Sequence, residues 1–123
     1  MASNWQPAVE VRAFQSIFDA EAVTGTNAYR ARFQMDRYTL LGLHMFWTGT
    51  PTGALTLWAS DYEDPSIVDD TQWVNLAETF TDPAGSASQG LLERAGIGHR
   101  WLMLKYTNAS GSGNLTARGT LKR

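Results

Sequence analysis

The side chains that most often perform catalysis are scarce in this sequence of 123 residues. There is no cysteine, and the two histidines are His44, inside an apolar run, and His99, directly before Arg100. The absence of cysteine excludes disulfides, thiolate metal sites and cysteine nucleophiles. The sequence also contains no HExxH, Gly-x-Ser-x-Gly or phosphate-binding glycine motif. We therefore predict structural roles for both histidines, no catalytic residue, no cofactor and no enzymatic activity.

The densest group of oxygen ligands is the acidic loop, which we define as residues 61–70. Carboxylates of irregular loops can bind calcium in β-sandwiches. The loop does not match the EF-hand template, because Ser66 stands where that template requires glycine and Gln72 where it requires glutamate. We interpret it as a solvated loop rich in residues typical of turns. A metal site and a pair of glycosidase carboxylates stay open as alternatives, since both depend on distances between side chains.

Charge is distributed unevenly along the chain, although the net charge is only −2. Residues 61–82 contain seven acidic and no basic residues, whereas residues 83–123 contain six basic residues and one acid, Glu93. Such asymmetry either guides the protein to another surface or is neutralised locally where the two segments meet. The slightly acidic balance predicts no nucleic-acid partner. No apolar run could span a bilayer and the first residues do not resemble a signal peptide, so no membrane association is predicted.

Alternation of apolar and polar residues is the main signal of secondary structure in this sequence. It is strict over residues 29–36, and it recurs over residues 9–12, 54–60, 72–77 and 90–93. Clusters of Gly, Pro, Thr, Asn and Ser separate these segments. Many short strands with turns between them are typical of an all-β sandwich or barrel. We predict one domain over residues 9–123, preceded by an N-terminal arm of residues 1–8.

Two predicted strands, Tyr38–Trp47 and Arg100–Tyr106, carry bulky apolar side chains on both faces. A sandwich buries one face of each sheet, so the second apolar face requires a cover. That cover is either a loop of the same chain or another subunit. We favour another subunit, because tryptophan and methionine are enriched in interfaces. The candidate interface residues are Trp5 in the N-terminal arm, Trp47, Trp58, Trp101 and Met103.

Several motifs in residues 54–123 resemble those of small virion proteins of tailed bacteriophages. They are Ser60-Asp61, Trp73-Val74-Asn75-Leu76, Arg100-Trp101-Leu102-Met103-Leu104-Lys105-Tyr106-Thr107, Ser110-Gly111-Ser112-Gly113 and Asn114-Leu115-Thr116-Ala117. The pattern is similar to that of the jelly-roll decoration, or cement, proteins that coat phage heads. It departs from that family in two places: residues 62–70 replace a short Asp-Gly turn, and Trp58 adds an outward aromatic side chain.

The resemblance implies an antiparallel β-sandwich of jelly-roll type with about eight strands. It also implies a protein assembled in the host cytoplasm and located on the capsid surface of the virion. There it would bind the major capsid protein and self-associate as a dimer or trimer. One alternative is a carbohydrate-binding sandwich of a tail fibre or a polysaccharide-processing protein, in which Trp58, Tyr62 and Trp73 form a stacking platform. A component of the head-to-tail junction or of the tail tube is a third alternative.

Residues 106–118 contain two tripeptides of the N-glycosylation form, which begin at Asn108 and Asn114. Because no signal peptide is predicted, neither asparagine is expected to carry a glycan. We interpret the segment as a β-hairpin that closes a sheet. In this interpretation Gly111 and Gly113 supply the positive φ angles of the turn, and the two asparagine side chains bond the local backbone.

Overall fold

The computed structural model describes residues 12–35, 38–80 and 88–123, and nearly all the regular structure in them is β. The strands are β1 (Arg12–Val23), β2 (Ala28–Gln34), β3 (Leu40–Gly49), β4 (Thr52–Ser60), β5 (Val74–Phe80), β6 (Ser88–Arg94), β7 (Trp101–Ser110) and β8 (Gly113–Lys122). One turn of 3-10 helix, Asp70–Gln72, precedes β5. The described residues include no helix with the length and apolar character needed to cross a membrane.

The strands form two antiparallel sheets of four strands each. The first sheet has the order β1-β8-β3-β6, and the second sheet has the order β2-β7-β4-β5. Every connection except that between β4 and β5 passes from one sheet to the other. This arrangement is the double-sheet jelly roll. The predicted fold class, a single-domain antiparallel β-sandwich of jelly-roll type, is therefore confirmed.

The core lies between the two sheets and is built from side chains at alternate positions of the strands. On three strands, the residues that alternation places on one side are buried: Leu41, Leu43, Met45 and Trp47 on β3; Leu55, Leu57 and Ala59 on β4; and Leu102, Leu104 and Tyr106 on β7. Removing one such large side chain from water contributes about 1.5–3 kcal/mol to folding. The inward faces therefore hold the sheets together, and any docking surface must lie on an outer face or an edge.

The predicted β-hairpin of residues 106–118 is wrong, because β7 and β8 lie in different sheets. Their link crosses from the second sheet to the first at residues 111–112. Gly111 has the predicted positive φ, at +74°. Gly113 is not among the positive-φ residues; it is needed because a Cβ there would clash with the carbonyl oxygen of Thr48. A tight turn has the same local composition whether or not its strands pair, so the sequence pattern did not separate the two structures.

Asn108 stabilises this crossing through the local bonding that the sequence predicts. The residue is 1% exposed, and its Nδ2 donates hydrogen bonds to the carbonyl oxygens of Gly25 at 2.9 Å and Gly111 at 3.0 Å. Its Oδ1 accepts a hydrogen bond of 2.8 Å from the Tyr106 hydroxyl. Burial, with a smaller effect from Tyr29, raises the pKa of Tyr106 to about 12. The Asn108 amide is thus a buried structural group and not a site for a glycan.

Strand β1 was largely missed by the sequence analysis because bulges interrupt its alternation. Its register with β8 shifts on both sides of Phe18. Ala20 has a φ of +50°, and its N–H donates to Thr116 Oγ1 at 3.1 Å. The predicted N-terminal arm, which includes Trp5, and the predicted strand residues before Arg12 lie outside the described residues.

Candidate functional site

The outer face of the second sheet carries a row of large side chains at its centre. Arg32 of β2, Met103 of β7 and Trp58 of β4 are direct neighbours across the three strands. Met103 is on the outward side of β7, and yet it is 0% exposed. An outward methionine is buried by large side chains on the neighbouring strands, here Arg32 and Trp58, or by a segment that lies over the sheet. The acidic loop, residues 61–70, contacts Arg30 and Arg32 of β2 and Lys105 of β7 around Met103.

Arg32 makes the closest contacts between the second sheet and the acidic loop. Its Nη1 donates hydrogen bonds of 2.7 Å to Asp64 Oδ1 and of 2.7 Å to the carbonyl oxygen of Pro65. Its guanidinium carbon lies 4.3 Å from the centre of the Trp101 ring, within the range of a cation–π contact. One planar cation therefore holds the loop on one side and stacks on the sheet on the other.

Asp70 makes the second ionic contact between the acidic loop and the second sheet. Its carboxylate oxygens lie 3.7 Å from Arg30 Nη2 and 3.5 Å from Lys105 Nζ. Lys105 Nζ also lies 5.2 Å from the centre of the Trp58 ring. Each exposed pair contributes at most about 1 kcal/mol, so the loop is held by several weak contacts around the buried Met103.

Trp73 anchors the end of the acidic loop. It is 5% exposed, and its Nε1 donates a hydrogen bond of 2.8 Å to the carbonyl oxygen of Ser66. The Ser66 N–H donates to Gln72 Oε1 at 2.7 Å. Asp69 caps the 3-10 turn by accepting hydrogen bonds from the Thr71 hydroxyl at 2.6 Å and from the Thr71 N–H at 3.1 Å. Hydrogen bonds from Thr71 lower the pKa of the Asp69 carboxyl.

Asp61 fixes the beginning of the acidic loop. Its Oδ2 accepts a hydrogen bond of 2.9 Å from His99 Nδ1, and its Oδ1 accepts one of 2.9 Å from the N–H of Arg100. The hydrogen bond from His99, followed by that from Arg100, lowers the pKa of the Asp61 carboxyl. His99 thus links the acidic loop to the start of β7.

These contacts decide between alternatives that the sequence left open. Part of the charge asymmetry is neutralised within the fold, because Asp61, Asp64 and Asp70 each contact a base or His99. On the second sheet, a loop of the same chain contacts Arg30, Arg32 and Lys105 of the outer face, and the expected contact with another subunit stays a prediction. Within residues 12–35, 38–80 and 88–123, no three His, Cys, Asp or Glu side chains are grouped to hold a metal ion.

The candidate interface residues do not form an exposed surface. Trp47 is 5% exposed in the core, and Met103 is fully buried on the second sheet. Trp58 and Trp101 are only half-buried, but a cation lies against each ring. Trp5 lies outside the described residues. The contact of these residues with another subunit stays a prediction.

The predicted sugar-stacking platform of Trp58, Tyr62 and Trp73 is not assembled. Tyr62 is 55% exposed, but Trp73 is 5% exposed and packs beneath the acidic loop. The ring of Trp58 has Lys105 against it. Three open ring faces are therefore not available for stacking on a sugar.

The outer face of the first sheet contains an open groove with a volume of about 710 Å³. Gly42 of β3 forms its floor, and its walls include His44 of β3, Leu91 and Glu93 of β6, and Arg118 and Lys122 of β8. Arg118, His44 and Leu91 form one row across the three strands. Leu91 is 78% exposed, so no described segment covers this part of the face.

The charges of the groove have no internal carboxylate partners among the described residues. Arg118 lies with its guanidinium carbon 5.2 Å from the centre of the Phe46 ring, and neither it nor Lys122 forms an ion pair with a described residue. His44 Nε2 lies 2.9 Å from Gln89 Oε1 and shares a hydrogen bond with it. The groove therefore combines two unpaired cations, one acid and an exposed leucine on a single surface.

These groove residues are not among the candidates that the sequence suggests. The signal available was the order Gln89, Leu91, Glu93, which places one apolar side chain between two polar ones on the outward face of β6. That pattern is common on ordinary solvated strands, and only the neighbouring strands show that it borders a groove.

Comparison with known proteins finds solved structures with a similar fold. No protein-family model and no curated protein matches the sequence. The crystal structure of YomS, derived from the SPBc2 prophage, covers 98% of this chain and 100% of its own, with a TM-score of 0.58 and 13% identity. A chain of infectious bursal disease virus, Gx strain, covers 92% of this chain with a TM-score of 0.53 and 9% identity. Dimeric latent PorU from Porphyromonas gingivalis covers 92%, with a TM-score of 0.55 and 10% identity.

These similarities differ in how much of the other protein they include. This chain spans all of YomS, but 32% of the viral chain and 13% of the PorU chain. At these identities the likeness shows the fold alone. The neighbours thus include a prophage protein of matching extent and a viral protein that contains a similar sandwich.

Proposed function

We propose that this protein is a structural virion protein that binds the outside of a bacteriophage capsid and stabilises the shell as a decoration protein. The observation that carries the proposal is the open outer face of the first sheet, where Leu91 and unpaired charges surround a groove. An exposed apolar side chain within a charged groove is typical of a docking surface. The extent and fold shared with a prophage protein support the same assignment.

In this proposal the partners are the major capsid protein and further copies of this chain, associated as a dimer or trimer. The protein would act on the capsid surface of the virion after assembly in the host cytoplasm. Apolar anchors supply most of the affinity of such a contact, and the surrounding charges set its register. Leu91 would be the anchor, with Arg118 and Lys122 as the neighbouring charges.

The proposed function is binding and not catalysis. Each histidine is engaged with a side chain of the fold: His99 bonds to Asp61, and His44 shares a hydrogen bond with Gln89. Among the described residues, neither histidine shares a hydrogen bond with a hydroxyl that it could activate as a nucleophile. In this proposal the groove of the first sheet serves to bind a partner protein.

The test is to add the purified protein to heads of the parent phage that lack it. We expect saturable binding in a fixed ratio to the capsid protein, a higher temperature for DNA release from the heads, and a dimer or trimer by light scattering. Leu91→Asp should weaken binding, and Val68→Asp should not, although Val68 is 76% exposed and Leu91 78%. A strict monomer that leaves the heads undecorated would contradict the proposal.

A further inference from the structure

The groove of the first sheet has the chemistry of a site for an acidic stretch of polypeptide. We propose that it binds an extended, acidic and partly apolar segment of a partner protein. This inference deepens the proposed function and rests on it only for the partner's identity. The groove volume of about 710 Å³ lies within the range of about 300–1,000 Å³ that is usual for ligand sites.

The spacing of the basic residues indicates an extended occupant. Arg118, Thr120 and Lys122 lie at alternate positions on the outward face of β8, and all three line the groove. The strand rise places Arg118 and Lys122 about 13 Å apart. Two carboxylates four residues apart on an extended segment would have the same separation. The described residues contain no ion-pair partner for either base, so both are free to bind them.

The apolar part of the groove gives the segment a second point of attachment. Leu91 forms one wall and is 78% exposed. Gly42 leaves the floor open, because a Cβ there would have the Thr120 carbonyl oxygen at 3.9 Å as its nearest neighbour. A backbone can therefore approach the sheet closely at this point. Glu93 on the β6 side disfavours a carboxylate there, so the acids of the segment would face β8.

The second sheet of the same molecule provides the internal precedent. Its outward basic residues Arg30, Arg32 and Lys105 hold the acidic loop. The loop contributes the carboxylates of Asp64 and Asp70 and the buried Pro65. The first sheet presents the same combination of outward bases and apolar surface with no acidic segment of the described chain over it. Charge complementarity therefore favours an acidic segment that another molecule supplies.

The experiment uses the full chain, labelled with 15N, and a synthetic extended peptide that carries two glutamates four residues apart, to match the spacing of Arg118 and Lys122, and a leucine between them. We expect saturable amide shifts on β3, β6 and β8, and their loss when the glutamates of the peptide are replaced by glutamines. Arg118→Glu should weaken binding at least tenfold, whereas Arg123→Glu, with the same change of charge outside the groove, should change it less than twofold.

A second variant tests the shape of the groove without changing its charge. Gly42→Leu should fill the floor and weaken peptide binding about tenfold, with an unchanged pattern of amide shifts in the second sheet. Shifts confined to the second sheet, or equal binding by the glutamine peptide, would overturn the proposal. Binding that appears only after deletion of residues 1–11 would also overturn it, because the occupant would then be this chain's own N-terminal segment.

The outcomes separate this inference from the proposed function. If the protein decorates heads but its groove does not bind the peptide, the inference fails and the proposed function stands. If the groove binds the peptide as expected but the protein does not bind heads, the proposed function fails and the groove remains a site for acidic segments.

Discussion

Basic side chains lie on the outer faces of both sheets, but their surroundings differ. On the second sheet, Arg32 and Lys105 contact carboxylates of the acidic loop, and Met103 between them is fully buried. On the first sheet, Arg118 and Lys122 have no carboxylate partner among the described residues. Outward apolar and basic residues therefore do not by themselves identify an intermolecular interface, because a loop of the same chain can use them.

Three connections that the structure describes contribute to this difference. The link from β4 to β5 stays within the second sheet and runs over residues 61–73, which is long enough to fold over its outer face. The links that join the first sheet to the second at residues 50–51 and 111–112 are short and cross the end of the sandwich. Such links cannot reach the outer face of the first sheet.

We expect the largest loss of stability when Trp73, which holds the acidic loop through Ser66, is replaced. Trp73→Ala should lower the free energy of unfolding by about 3–5 kcal/mol, because it removes a buried ring and its bond to Ser66. Urea denaturation followed by circular dichroism measures the change. Tyr62→Ala is the control, because Tyr62 is 55% exposed in the same loop and should change stability by about 0.5 kcal/mol or less. Equal losses in both variants would show that Trp73 does not anchor the loop.

A matched pair of outward residues compares the two faces directly. Met103→Ala should cost about 2–5 kcal/mol, because Met103 is 0% exposed beneath the acidic loop. Leu91→Ala should cost about 0.5 kcal/mol or less, because Leu91 is 78% exposed. Thermal and urea unfolding of both variants provide the measurement. A loss at Leu91 as large as that at Met103 would mean that the first sheet is covered as well.

The basic residues should show a smaller difference of the same kind. Arg32→Ala should cost about 1–2 kcal/mol, since it removes the contacts with Asp64 and Pro65 and the stacking on Trp101. Arg118→Ala loses the contact with Phe46 and should lower the free energy of unfolding by about 1 kcal/mol at most. Arg32→Lys should recover less than half of the loss, because lysine lacks the planar fork. Full recovery by lysine would show that charge alone holds the loop.

Low pH should reduce the contribution of Asp61 and Asp69, both in the acidic loop, to the stability of the fold. Folding lowers the pKa of both carboxyls, so their stabilising effect is present above about pH 3.9, the ordinary value for aspartate. That effect is lost as the pH falls further, through the lowered values of the folded state. The double variant Asp61→Asn, Asp69→Asn should therefore lose stability less steeply between pH 4 and pH 2, as measured by Tm. Glu93→Gln on the first sheet is the control, and an identical slope in the double variant would contradict the expectation.

The sequence predicted the strands well where alternation was regular and poorly where it was interrupted. Leu41, Leu43 and Met45 share one face of β3 because each is separated from the next by one residue, and the structure buries that face. Strand β1 was missed because bulges near Phe18 and Ala20 change the side of the sheet to which the following residues point. Alternation is a local property, and a bulge removes it without removing the strand.

The candidate site was predicted less well than the fold. Met103 and Trp101 were proposed for an interface because the strand is apolar on both faces and these residue types are enriched in interfaces, whereas the contacts of Arg32 beside them depend on residues distant in the sequence. Leu91 and Gly42 were not selected, because a groove exists only where the residues of three strands stand side by side. The pairing of strands supplies that arrangement, and it joins residues that are distant in the sequence.

The sequence by itself determined the class of fold, the sets of residues that share a face on β3, β4 and β7, and the positive φ of Gly111. These features depend on neighbouring residues and on the two-residue period of a strand. The tertiary structure alone decided that β7 and β8 lie in different sheets and that the acidic loop covers one outer face and leaves the other open. These outcomes depend on contacts such as Arg32 with Asp64, 32 residues apart, and Arg100 with Asp61, 39 residues apart.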